Sequence, residues 1–145
     1  MKVYFRQFYV EPGVAFPFSH CFSSRLSDEI TAIAVPSPTF IKKYGHNFDL
    51  VFNISAKREI KDIELRGPTV FRKTKDVEYT VFLPFDVITG NSEVPQSAIR
   101  YLLSGVRAVF TLLGFDTEKL VERQEAMINR IPADPMMFER GEQGE

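Results

Sequence analysis

Apolar and polar residues along this 145-residue chain recur with two different periods, and the change from one to the other organises it. Over roughly the first 90 residues the period is near two, the signature of strands; after that it is near 3.6, the signature of helices. Val3, Phe5 and Tyr9 fall on one side of an opening segment and Tyr4, Phe8 and Val10 on the other. That arrangement predicts a strand over Val3 to Val10 covered on both sides. Ile30 to Val35 is a short apolar run stopped by Pro36 and Pro38, read as a strand because proline cannot donate to a ladder. Phe48, Leu50, Phe52 and Ile54 alternate with Asp49, Val51, Asn53 and Ser55, which predicts a half-buried strand with its polar side toward solvent or a partner. Ile60 to Leu65, Thr69 to Arg72 and Val77 to Leu83 continue the pattern. Gly67-Pro68 and the basic run Arg72 to Lys75 stand between them, as expected of hairpin-connected antiparallel strands.

Beyond the break at Thr89 to Ser92, Ile99, Leu102, Leu103, Val106, Val109, Phe110 and Leu113 recur on one helical face, with Gly105 inside the helix and Gly114 placed to cap it. Asp116 or Thr117 can cap a second helix, whose stripe runs through Leu120, Val121, Gln124, Met127, Ile128 and Ile131 and ends at Pro132. The expected fold is therefore α+β: a mostly antiparallel sheet of five or more strands, followed by two C-terminal helices packed on one face. Residues 1–131 are expected to form a single domain and residues 132–145 a flexible acidic tail. Between the first two strands, the segment Phe16-Pro17-Phe18-Ser19-His20-Cys21-Phe22 reads as an aromatic loop packed across one end of the core.

Composition supports one core, with 44% hydrophobic residues and 14 Phe and 5 Tyr in the chain. The lone Cys21 fits a reducing, cytoplasmic setting. Lys2 and Arg6 interrupt the opening apolar residues too early for a secretory signal core, and no window approaches the roughly 18 apolar residues of a membrane span. The formal net charge of -1 conceals a division: residues 1–75 hold 12 Lys and Arg against 7 Asp and Glu, and residues 76–145 hold 6 against 12. Differently solvated halves account for this, and so does an acidic face built to meet a basic partner.

Catalytic chemistry finds little to stand on. Cys21 and His20 are adjacent, and on a strand they would point to opposite faces, so they make a poor nucleophile and base; a buried Cys21 among phenylalanines is the plainer reading. One Cys and two His do not supply the four donors of a zinc site, the carboxylate pairs Asp28-Glu29, Asp62/Glu64 and Asp76/Glu78 read as solvated positions, and no glycine-rich phosphate loop is present. No cofactor, metal or catalytic residue is expected. Lys42-Lys43-Tyr44 and the cluster from Arg72 to Lys75 could contact phosphate, although basic turns between strands more commonly protect edges.

One resemblance bears on function. Val81-Phe82-Leu83-Pro84-Phe85-Asp86, a break, the helix Ala98 to Val106 and then Leu112-Leu113-Gly114-Phe115-Asp116 resemble the small bacterial immunity proteins that neutralise polymorphic or contact-dependent growth-inhibition toxins; the likeness spans residues 48–131. It implies a cytoplasmic, non-catalytic protein that captures a cognate toxin domain stoichiometrically. The acidic residues Asp76, Glu78, Asp86, Glu93, Glu118, Glu122 and Glu125 are the candidate surface for steering that encounter. Two other readings stand beside it: a ligand-binding domain or enzyme using the loop Phe16 to Phe22 as a pocket wall, and an RNA-associated accessory domain.

Overall fold

The computed structural model describes residues 1–7, 20–84 and 94–133. In chain order these form β1 (Val3–Gln7), α1 (His20–Ile33), α2 (Pro38–Tyr44), β2 (Asp49–Lys57), β3 (Glu64–Phe71), β4 (Asp76–Pro84), α3 (Val94–Leu112) and α4 (Glu118–Ala133). The strands build one sheet in the order β1-β2-β4-β3, with β1 parallel to β2, β2 parallel to β4, and β3 antiparallel to β4.

The class is α+β, but the sheet departs from expectation in number and direction: the described residues hold four strands, and only one of the three pairings is antiparallel. Two local misreadings account for the count. Ile30 to Ile33 belongs to α1, where Leu26, Ile30 and Ile33 are buried at spacings of four and three, a helical stripe. The two short runs on either side of Gly67-Pro68 are one strand, β3, whose pairing with β4 shifts register between Arg66 and Thr69. The direction has a topological cause. After β2 the chain passes over the neighbouring position and enters β3 at the far edge, so the hairpin β3–β4 returns β4 alongside β2 in parallel.

Alternation along the strands sorts their side chains onto two faces. Val3, Phe5, Leu50, Phe52, Ile54, Val77, Tyr79, Val81 and Leu83 point to one face and join Leu26 and Ile30 of α1, Phe40 and Tyr44 of α2, Leu102, Val106 and Phe110 of α3, and Leu120 and Met127 of α4 in a single core. The helices thus form one layer on one face. At Gly105 α3 comes close to the sheet: a Cβ there would lie 3.1 Å from Cγ1 of Val81. The end of α3 is closed as its sequence predicts, with Gly114 at φ +76° and the Phe115 N–H donating to the Phe110 carbonyl. Asp116 then caps α4 by accepting from the Glu118 N–H at 2.9 Å, and α4 continues through Pro132 to Ala133.

The sheet edges are protected by different means. On β1 the outward N–H of Val3 donates to Oγ1 of Thr31 at 2.9 Å and its carbonyl accepts from Oγ of Ser27, so two hydroxyls one turn apart on α1 occupy the edge. On β3 the register shift at Gly67-Pro68 interrupts the ladder. Among the described residues no helix is long and apolar enough to cross a membrane. The expected tail, 132–145, lies outside the described residues from position 134 onward.

Candidate functional site

The second face of the sheet carries no described helix. Register places Tyr4, Val51, Glu78 and Thr69 in one row across it, Arg6, Asn53, Thr80 and Arg66 in the next, and Ser55, Phe82 and Glu64 in a third. Asn53 is the hinge of this surface. It sits on the central strand β2, its Oδ1 accepts from Nε of Arg6 at 3.1 Å, and its Nδ2 donates to Oε1 of Glu78 at 2.9 Å. Arg6 closes the ring by pairing with the same Glu78 oxygen at 2.8 Å. Three strands are thereby tied through side chains, and Glu78 is largely buried beneath the half-exposed Arg6, which keeps guanidinium N–H groups for other partners. The alternation along β2 predicts a polar side that faces solvent or a partner; in the chain by itself Val51, Asn53 and Ser55 are all buried, so it does not face solvent.

Beside this ring the face carries aromatic and cationic side chains in contact. The Arg66 guanidinium lies 4.9 Å and the Lys57 ammonium 5.9 Å from the Phe82 ring centroid, and Lys57 also pairs with Glu64 at 2.9 Å. Tyr4 and Phe71 are among the large hydrophobic side chains left exposed. No repeat or motif announces this surface. Its only sequence signal is the period-two alternation of β4, which sets Asp76, Glu78, Thr80 and Phe82 apart from the core residues between them.

A second concave feature lies at the end of the helical layer, where α2, the Gly67-Pro68 corner of β3 and the last turn of α3 enclose a cleft of about 370 Å³. Phe40, Pro68 and Leu113 supply apolar wall, and Lys43, Tyr44 and Tyr79 supply polar groups. Burial pushes the Tyr79 phenol above its ordinary value of 10.0, and the neighbouring Tyr44 adds to the shift. Gly67 lets β3 pass this point: at φ +125° it holds a conformation that side chains disfavour, and a Cβ would stand 2.8 Å from the Glu78 carbonyl.

The acidic residues singled out from the sequence do not share a surface. Asp76 and Glu78 lie on the second sheet face, whereas Glu118, Glu122 and Glu125 are exposed on α4 in the opposite layer, with Glu125 paired to Arg100 of α3 at 3.0 Å. Asp86 and Glu93 lie outside the described residues. Of the aromatic segment Phe16 to Phe22, positions 16–19 lie outside them too, while His20, Cys21 and Phe22 open α1 and are not loop. Lys42 and Lys43 stand in the last turn of α2, and the basic cluster Arg72 to Lys75 forms the β3–β4 turn. Among the described residues no group of three or more His, Cys, Asp and Glu comes together to hold a metal ion. No protein-family model, curated protein or solved structure matches this chain.

Proposed function

We propose that this chain is a non-catalytic binding protein that captures a protein partner on the second face of its sheet, through the exposed side chains that stand around its buried centre. Following the resemblance carried by Val81 to Asp86 and Ala98 to Asp116, that partner is a toxin domain, neutralised by stoichiometric complex formation in the cytoplasm. The observation that carries the binding reading is the make-up of the face. Tyr4, Phe71, Phe82, Arg6 and Arg66 are of the residue types that dominate interface hot spots, and they surround a hydrogen-bonded ring that holds its charges in place before a partner arrives. Preorganisation of this kind lowers the ordering cost of association. Aromatic and basic groups side by side would also suit stacked bases of single-stranded RNA. Asp49, Asp76, Glu64 and Glu78 on the same face oppose a phosphate backbone and favour a partner of mixed charge.

The test is to sequence the gene directly upstream and co-express its C-terminal domain with this chain, scoring survival and co-purification; a neighbour that encodes no toxic domain counts against the reading. The expected result is rescue with a one-to-one complex, and loss of about 30-fold in affinity on Tyr4→Ala or Arg66→Glu, the size of a single hot-spot residue. Glu118→Lys and Glu122→Lys, in the other layer, are expected to bind as the parent does. Rescue undiminished by the sheet-face substitutions would refute the assigned surface, and a toxin-like neighbour that neither binds nor is neutralised would refute the function.

A further inference from the structure

The cleft between α2, β3 and α3 combines features that the binding surface does not use. The rings of Tyr44 and Tyr79 are buried, with 8% and 5% of their surface exposed, yet neither hydroxyl bonds to another group among the described residues. No described side-chain nitrogen or oxygen that is sealed from solvent lacks a partner, so both phenolic oxygens remain accessible, and both residues line the cleft. Lys43 stands in the same wall, its ammonium 5.4 Å from the centre of the Tyr44 ring, and it pairs with no carboxylate among the described residues. Among the described residues no Asp or Glu lines the cleft. Among the described residues the cleft therefore has one ammonium and two phenol donors in its lining and no carboxylate acceptor, beside apolar wall from Phe40, Pro68 and Leu113.

We propose that this cleft binds a small apolar carboxylate, its anionic end held by the Tyr44 and Tyr79 hydroxyls and the Lys43 ammonium and its hydrocarbon body lying against Phe40, Pro68 and Leu113. The chemistry selects this class on two grounds. Hydrogen bonds from phenol and ammonium to a carboxylate are charge-assisted and stronger than those to a neutral amide. A volume of about 370 Å³ falls at the small end of ligand sites, suited to one ring or a short branched chain. The frame is also fixed in advance: Oγ of Ser37 donates to the Leu113 carbonyl, joining the start of α2 to the end of α3 across 76 positions of sequence. Leu112, 71% exposed at the rim, extends the apolar wall outward.

Calorimetric titration of the full chain with benzoate, 3-phenylpropionate and 4-phenylbutyrate tests this, with the primary amide of each as the uncharged match and inorganic phosphate as an anion without a hydrocarbon body. The expected result is saturable one-to-one binding of at least one carboxylate, at least 10-fold weaker binding of its amide and none of phosphate. Tyr79→Phe and Lys43→Gln should each weaken the carboxylate about 10-fold while leaving the far-ultraviolet circular dichroism unchanged. Failure of all three carboxylates to bind at millimolar concentration, equal binding of acid and amide, or variants that bind as the parent does would each overturn the proposal.

Discussion

Replacing Ser37 with Ala should cost more stability than the loss of one small polar side chain suggests, because its hydroxyl serves two helices at once. Ser37 lies in extended conformation between two prolines, 6% exposed, and its Oγ accepts from the Phe40 N–H at 3.1 Å to cap α2. The same hydroxyl donates to the Leu113 carbonyl at 2.5 Å, one of the groups left without a partner where α3 ends. With seven residues, α2 is too short to persist without its cap and its packing. Loss of the cap costs about 1 kcal/mol. Loss of the donor to Leu113 costs a further ~1 kcal/mol, the low end for an orphaned carbonyl, since Leu113 is only partly buried and water can reach it. The expected total of about 2 kcal/mol corresponds to a fall in Tm of roughly 6 °C for a chain of this size. Urea unfolding followed by circular dichroism reads it directly. Ser37→Thr, which keeps both the acceptor and the donor, should recover more than half of the loss. A cost below about 0.5 kcal/mol for Ser37→Ala, or a Thr variant as unstable as the Ala variant, would show that the shared hydroxyl does not join the two helices.

Gly105→Ala sets a helix-propensity gain of about 1 kcal/mol against overpacking of Val81, typically ~1–3 kcal/mol; with Cγ1 only 3.1 Å from the new methyl, the net expected from urea unfolding is destabilisation. In a Val81→Ala background the same change should become stabilising, and additive effects in this double-mutant cycle would disprove the contact. Raising the pH should destabilise the fold through Tyr79. Its folded-state pKa lies above 10.0 whereas the unfolded phenol ionises near that value, so the contribution is complete below pH 10 and is lost as pH rises toward the folded value. Urea midpoints measured from pH 8 to 11 should fall less steeply in Tyr79→Phe, and equal slopes would show that Tyr79 is not the group responsible.

The helices at the C-terminal end were legible because their information is local. Ile99, Leu102, Leu103, Val106, Val109 and Phe110 are all buried, and the stripe of α4 holds at Leu120, Met127 and Ile128, while Val121 turns outward. The first two helices carried equally local signals that β-branched residues and prolines obscured. Leu26, Ile30 and Ile33 keep helical spacing, but Ile30 to Val35 by itself reads as strand. Ser37-Pro38 followed by Gly45 marks the cap, first turn and end of α2, yet after the apolar run Ile30 to Val35 a proline reads as a breaker, whereas Pro38 starts a helix. Parallel pairing could not be read at all, since no local pattern records that β4 returns beside β2 with β3 outside it. The second sheet face is partly visible in the alternation of β4, but the ring of Arg6, Asn53 and Glu78 joins residues up to 72 positions apart, and only the register brings them together. The cleft depends likewise on α2 and the end of α3 meeting at Gly67-Pro68.

The hydroxyls of Ser27 and Thr31 on the outer side of β1 also bear on the order in which the chain is made. Val3 finds these partners 24 and 28 positions along, whereas contacts between the start of β1 and β2 span 47. Halving the span of a closing loop favours closure by about 0.6 kcal/mol. At about 5–20 residues per second of synthesis, β1 waits roughly 2–9 s for β2 to be made, and α1 is complete well before that. A newly made first strand can therefore rest its outer hydrogen-bonding groups on the helix that follows it while the centre of its sheet is still being assembled.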